Sequence, residues 1–208
     1  DKETTKPTDA KPKANDDTGG ARPDRTSVLH VLDNDTDPNG RVLSITKVTD
    51  PANGATVQVA PDGQTLQYRQ PSDARDGSFQ YTIHNGRAEA TATVRVEARA
   101  DSDNKPPEPR PNYVAPTFAA APGGNVTMPV ASDYRDFDGD PITVVKAADG
   151  KDDVPVTADG QIEYTAPVDD KGRAQDRTIT YQLTDGNSAP VTGGVAVILG
   201  RIGANFGA

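Results

Sequence analysis

The segment Asp35-Thr36-Asp37-Pro38-Asn39-Gly40 sets oxygen-bearing side chains at alternate positions and closes on a glycine. A hard cation such as calcium takes six to eight oxygen ligands, and clustered carboxylates repel one another without it. The pattern satisfies the first half of an EF-hand loop. The second half fails, because the place for the bidentate glutamate holds Thr46 in a predicted strand, and no flanking helix is predicted. About a hundred residues further on, a second loop carries Asp133, Asp136, Asp138 and Asp140. Each loop admits two readings. One is a weak calcium site, with a Kd of about 0.1–1 mM; the other is a turn whose Asp and Asn cap their own backbone. Arg41 adds positive charge at the rim of the first loop and favours the capped turn there; the second loop is balanced between the two.

Catalysis finds little to work with. The chain has no cysteine, which excludes thiol chemistry, disulfides and thiolate metal sites. Its two histidines, His30 in a predicted strand and His84 at a hairpin end, suggest no nucleophile–base pair. Carboxylates are plentiful, but a general acid needs an apolar surround to raise its pKa. With no Trp and four Phe, the acidic turns lack one, and there is no glycine-rich phosphate loop. The expectation is a protein that is not an enzyme. Lys47 and Lys146 share strand parity with Ile45 and Val144, which would aim them at a core. An internal isopeptide bond is one outcome of such placement, and a lysine reaching from a strand end into solvent is the simpler one.

The elements that position these residues are short strands. Phe79, Tyr81 and Ile83 alternate with Ser78, Gln80 and Thr82; Ile179, Tyr181 and Leu183 alternate with polar partners. Asn85-Gly86 and Asp185-Gly186 predict two-residue hairpins. No window has sustained helical periodicity. The pattern is also written twice. DTDPNGRVLSI answers RDFDGDPITV, DGQTLQY answers DGQIEY, and SFQYTIHNG answers TITYQLTDG, so Tyr81 falls opposite Tyr181. An offset held near one hundred residues marks a duplicated unit. The expected class is all-β, as two tandem antiparallel β-sandwiches. Proline- and charge-rich stretches set the boundaries: a solvated linker over 1–15, one domain over 16–99, a proline-rich linker over 100–111, a second domain over 112–200 and a tail over 201–208. The 208 residues are 33% hydrophobic, enough for two thin cores. The net charge of −9 repels phosphate backbones and anionic membranes and favours cations. No run approaches the roughly 18 apolar residues of a membrane span. Because the chain opens on Asp1-Lys2-Glu3, it reads as a segment of a longer polypeptide.

The first block, through NDD (15–17), VLDNDTDPNG (31–40), LSITKV (43–48), PANG (51–54), PDGQTLQY (61–68) and FQYTIHNG (79–86), resembles the bacterial Ig-like or cadherin-like repeats of large surface and secreted proteins. DFDGDPITV, DGQIEYTAP and YQLTDG make the second block a more divergent member. The turn HNG (84–86) stands in place of the family's usual acidic turn, and Arg41 stands where the family commonly has another acid. The resemblance implies Ig-like sandwiches in an extracellular, cell-surface, spacer or adhesion module, often calcium-associated. DSDN (101–104) before Pro106-Pro107 resembles the acidic junction of cadherin repeats, which adds Asp101 and Asp103 to the calcium candidates Asp35, Asp37, Asn39, Asp133, Asp136, Asp138 and Asp140. Expected partners are neighbouring domains of the same polypeptide and a surface protein or glycan. Nucleic acid and direct membrane insertion are not expected, and the segment should be a monomer. Two alternatives stay open: a module recognising glycan or protein through its loops, or an accessory region of a secreted enzyme.

Overall fold

A computed structural model describes residues 10–168, 171 and 176–199. The chain divides into two compact units: Asp1–Asn104 with Phe137–Gly139, and Lys105–Asp136 with Asp140–Ala208.

In the first unit the strands are β1 (Asp17–Ala21), β2 (Thr26–Leu29), β3 (Ser44–Val48), β4 (Thr56–Val59), β5 (Leu66–Arg69), β6 (Gly77–His84) and β7 (Glu89–Ala98). One sheet has the order β1-β7-β6-β3 and the other β2-β5-β4. The period-two alternation of β6 puts Phe79, Tyr81 and Ile83 inward, where they meet Val94 and Val96 of β7 and Leu66 and Tyr68 of β5 in one core. The expected antiparallel pairing holds except at the first strand, which runs parallel to the last, Asp17 opposite Val94 through Ala21 opposite Ala98. Parallel neighbours need a long connection, and here it is the rest of the domain.

The second unit contains β8 (Glu108–Pro109), β9 (Thr117–Ala120), β10 (Asn125–Met128), β11 (Tyr134–Arg135), β12 (Thr143–Asp149), β13 (Asp152–Val154), β14 (Ile162–Thr165), β15 (Arg177–Thr184) and β16 (Val191–Leu199). Its larger sheet has the order β13-β12-β15-β16-β9, with β9 again parallel to β16; β10 pairs with β14, and β8 with β11. Met128, Val130, Ile162, Ile179, Tyr181, Leu183, Val195 and Val197 form a separate core.

Several local details depart from the sequence expectation. Residues 10–15, read as linker, are tied to the first unit: Lys13 and Thr36 exchange backbone hydrogen bonds of 2.8 and 3.0 Å. Part of the proline-rich stretch likewise belongs to the second unit, since Glu108–Pro109 pairs with Tyr134–Arg135. The tail over 201–208 lies outside the described residues. Neither hairpin closes on two residues. Asn85 Oδ1 accepts the N–H groups of Arg87 and Ala88, both at 2.9 Å, and Asp185 Oδ1 does the same for Asn187 and Ser188 at 2.8 Å. Each side chain thereby stabilises a wider loop than the dipeptide alone predicts. Finally, a β-bulge lies between Ile45 and Lys47, and another between Val144 and Lys146. The extra residue reverses strand parity, so both lysines turn outward, Lys47 Nζ to Glu89 at 3.7 Å and Lys146 Nζ to Asp153 at 3.9 Å.

Candidate functional site

The first acidic loop follows a single 3₁₀ turn, Val31–Asn34. Its carboxylates are engaged by protein donors. Asp37 Oδ2 accepts the backbone N–H groups of Asn39 at 2.9 Å and Arg41 at 2.8 Å, while Oδ1 accepts from Asn85 Nδ2 at 2.7 Å. The Arg41 backbone bond and the Asn85 amide hold its carboxyl below the usual range. Asn39 is exposed and contributes its N–H to that cap. Gly40 takes φ +65°, which lets the chain turn back towards β3.

Asp35 faces the other way. Its Oδ1 accepts the Asn15 N–H at 2.7 Å, and its two oxygens lie 3.0 and 3.1 Å from the buried Tyr81 hydroxyl. The same hydroxyl is 2.9 Å from the Asn15 carbonyl and 3.0 Å from Asp17 Oδ2. Burial pushes the Asp35 carboxyl up, against the Asn15 and Tyr81 hydrogen bonds, which pull it down. Tyr81 is pushed far up by burial and then by Asp17 and Asp35, so it remains a neutral donor. Sequence reasoning singled out the Asn15-Asp16-Asp17 triplet and Tyr81 separately; that Tyr81 ties the triplet to Asp35 depends on the sheet register.

The second loop repeats part of this plan. Asp136 Oδ1 accepts the Asp140 N–H at 3.0 Å, as Asp37 does from Arg41, and Asp140 Oδ2 accepts from Asn187 Nδ2 at 3.0 Å. Asp136, Asp138 and Asp140 place carboxylate oxygens within 4.8 Å of one another, and Asp138 and Asp140 are buried. Three hard oxygen donors suit a calcium- or magnesium-like ion and not a soft metal, so this cluster could hold a metal ion. Against it, Asp138 already receives Arg99 Nε at 2.5 Å and has Arg22 Nη2 at 3.8 Å, two charges that share the work of a cation. The Asp138 bond in turn holds the Arg99 guanidinium above its ordinary pKa.

The other candidates stand apart. Asp133 is outside that cluster; burial raises its carboxyl, and Arg110 lowers it. Asp101 is exposed, 3.9 Å from Arg25, and Asp103 Oδ2 accepts the Ala100 N–H at 3.0 Å, closing a turn. Neither joins a carboxylate cluster among the described residues. His84 Nδ1 accepts the Gly86 N–H at 2.8 Å and is spent on its own loop.

Two sandwiches, each with its own core and side-chain-capped loops, define an immunoglobulin-like tandem. The bacterial Ig domain family model matches residues 9–97 and again 104–198, and the chain belongs to that family, twice over. Such domains are typically non-catalytic and usually extracellular. No curated protein is a significant match. Among solved structures the chain is similar to an endo-fucoidan hydrolase of glycoside hydrolase family 107, at 20% identity and TM-score 0.36, with 94% of this chain and 29% of the hydrolase covered. It is also similar to the N-terminal four Ig domains of Dscam1, at 12% identity and TM-score 0.39 over 91% of this chain and 52% of that one. The human desmocollin-1 ectodomain follows at 16% identity and TM-score 0.32, over 91% and 40%. The chain thus spans less than a third of the hydrolase. No helix among the described residues is long and apolar enough to cross a membrane.

Proposed function

We propose that this tandem is a non-catalytic extracellular spacer or adhesion module within a larger bacterial surface protein. The observation that carries the reading is the duplication of a self-sufficient core: each unit buries its own set of aliphatic and tyrosine side chains. His84 and Asp37 are used for backbone capping, which supports a mechanical role over a chemical one. Repeat number then sets how far a distal domain is held from its base. Calcium is proposed as a ligand of the Asp136–Asp140 loop, where Asp136, Asp138 and Asp140 would hold it and stiffen the turn. The partners proposed are neighbouring domains and a surface protein or glycan, with the segment itself monomeric.

A replacement experiment tests the spacer. In the intact parent protein, the tandem is exchanged for two unrelated sandwiches of the same length, and attachment of the cell to its target is measured. Retained attachment is expected. Loss of attachment with normal display would overturn the spacer and favour direct recognition by these domains.

A further inference from the structure

The two repeats route one segment differently. In the first unit the chain leaves β3 through Asp50-Pro51-Ala52-Asn53-Gly54, and β4 then pairs with β5, Thr56 opposite Arg69 and Val57 opposite Tyr68. Pro51 cannot donate to a hairpin and holds Asp50 extended, so the chain crosses directly to the other sheet. In the second unit Gly150, at φ +63°, permits a tight return, and β13 pairs back onto β12, Ala147 opposite Val154 through Asp149 opposite Asp152. The strand that covers β5 in the first unit has no full counterpart on β14. Pro155 returns to accept the Glu163 N–H at 3.0 Å, and Val156 bridges Ile162, but no described strand continues along Tyr164 and Thr165.

Antiparallel pairing alternates the direction of backbone groups. Ala166 is bonded to the β10 side, through its N–H to Gly124 at 2.9 Å. Thr165 therefore directs its N–H and C=O away from β10, to the side where Arg69 of the first unit meets Thr56. A cleft of about 570 Å³ lies between β10, β13 and β14; its charged lining residues are Asp149, Asp152, Asp153 and Glu163, with Arg177 standing 3.9 Å from Asp149 and Lys146 3.9 Å from Asp153. Its size falls within the roughly 300–1,000 Å³ of ligand clefts. Val126 and Val154 give it apolar surface. In the first unit the corresponding tyrosine is sealed instead: Tyr68 receives Asn53 Nδ2 at 2.8 Å and lies 3.3 Å from Gln70. Tyr164 donates to Asp149 Oδ2 at 2.8 Å and lines the cleft.

We infer that the open edge of β14 is a docking site for an extended cationic peptide segment, which adds a strand opposite Thr165 and sets Lys or Arg against Asp152 and Glu163. An unpaired edge supplies backbone hydrogen bonds, and alternate side chains supply selectivity. Asp152 and Glu163, the lining carboxylates not paired with Lys146 or Arg177, choose the sign of the partner. This goes beyond the spacer reading and does not depend on it, because the exchange experiment and the one below have separate readouts.

The test is an NMR titration of the isotope-labelled 208-residue chain with a capped pentapeptide alternating lysine and valine. Its counterpart with glutamate for lysine is the control. The lysine peptide should shift Tyr164, Thr165 and Asp152 and protect the Thr165 amide from exchange; the glutamate peptide should not. Asp152→Lys with Glu163→Lys should weaken binding about tenfold, the sum of two reversed exposed ion pairs. Thr165→Pro removes the outward-facing N–H, which an edge strand tolerates, together with the Thr165 hydroxyl bond to Asn125 Oδ1 at 2.7 Å, which Thr165→Val removes alone; the proline variant should abolish binding with both cores intact by methyl spectra, and the valine variant should keep it. Four results would overturn the inference: equal binding of the two peptides, shifts confined to other surfaces, binding with no protection of the Thr165 amide, or self-association through this edge in the absence of peptide.

Discussion

Tyr81 and Tyr181 occupy the same place in the two repeats, yet their hydroxyls work against different partners, and a single substitution made at each separates the cases. Tyr81→Phe removes a buried donor lying within 3.1 Å of Asp17 and both Asp35 oxygens, and leaves Asp35 with the Asn15 N–H as its remaining hydrogen bond here. Losing a hydrogen bond to a charged group costs about 1.5–3 kcal/mol. Tyr181→Phe removes contacts with the neutral hydroxyls of Tyr134 at 3.3 Å and Tyr113 at 3.4 Å, worth about 0.5–1.5 kcal/mol. For domains of this size each kcal/mol moves Tm by about 4–8 °C. Calorimetry of the whole chain should show the first-unit transition falling by roughly twice as much in Tyr81→Phe as the second-unit transition does in Tyr181→Phe. The two should also differ in pH dependence. The folded-state pKa of Asp35 is raised by burial, so Asp35 favours the folded state fully below its unfolded pKa of 3.8, and that contribution fades as pH rises through the folded value. Removing the Tyr81 donor raises the folded pKa further, so the penalty should be largest at neutral pH and shrink towards pH 3. The Tyr181→Phe penalty should stay flat over the same interval. Equal, pH-independent costs at both positions would refute the assignment of Tyr81 as the donor that supports a buried carboxylate.

Other consequences follow from the same structure. A calcium ion bound at about 0.1 mM should stabilise the second unit in ~2 mM calcium by about 1.8 kcal/mol relative to chelator, and Asp136→Asn with Asp140→Asn should erase the difference; a melt that calcium leaves unmoved removes the ion. Gly193→Ala should destabilise the second unit by about 1–3 kcal/mol, because its Cβ would run into the Tyr134 hydroxyl and the Tyr181 ring, whereas Gly194→Ala, with nothing nearer than 3.8 Å, should be nearly neutral; denaturant midpoints compare them. Asp37, held below its usual pKa, contributes stability above pH 3.8 that is lost as pH falls through its folded value, so a carbon-detected titration should find it ionised at a pH where Asp35 is already protonated. Intact mass should equal that of the unmodified sequence, since the bulges turn Lys47 and Lys146 outward; a loss of ammonia or water would contradict that placement.

The class, the duplication and the core were legible because they rest on period-two alternation, which one-dimensional reading captures: Phe79, Tyr81 and Ile83 point where their spacing puts them. Parity fails wherever the strand gains a residue. Lys47 and Lys146 share the parity of Ile45 and Val144, and the bulges that reverse it carry no local marker. The hairpin dipeptides carry a backbone preference for a tight turn, while the side chains of Asn85 and Asp185 bond two and three residues ahead and widen the loops. Of the acidic candidates, Asp136, Asp138 and Asp140 lie with carboxylate oxygens within 4.8 Å of one another, which alternate spacing permits and does not by itself dictate. The same spacing in the first loop sends Asp35 to Tyr81 and Asp37 to Asn85, a parting set by strands that lie some fifty residues away.

The bulge in β3 has a bearing on how such chains survive their own repetition. Two related sandwiches on a single polypeptide fold at an effective concentration on the order of millimolar, where mispairing of like strands is the standing hazard. β3 is one of the two edge strands of its sheet, and its kink, with Lys47 projecting beside it, spoils the straight ladder that a stray homologous strand would need. In the second repeat the edge strand on the corresponding side is β13, which presents Asp152 and Asp153. Each repeat guards the rim beyond its core by a separate device, so that duplicating the fold need not duplicate its tendency to tangle.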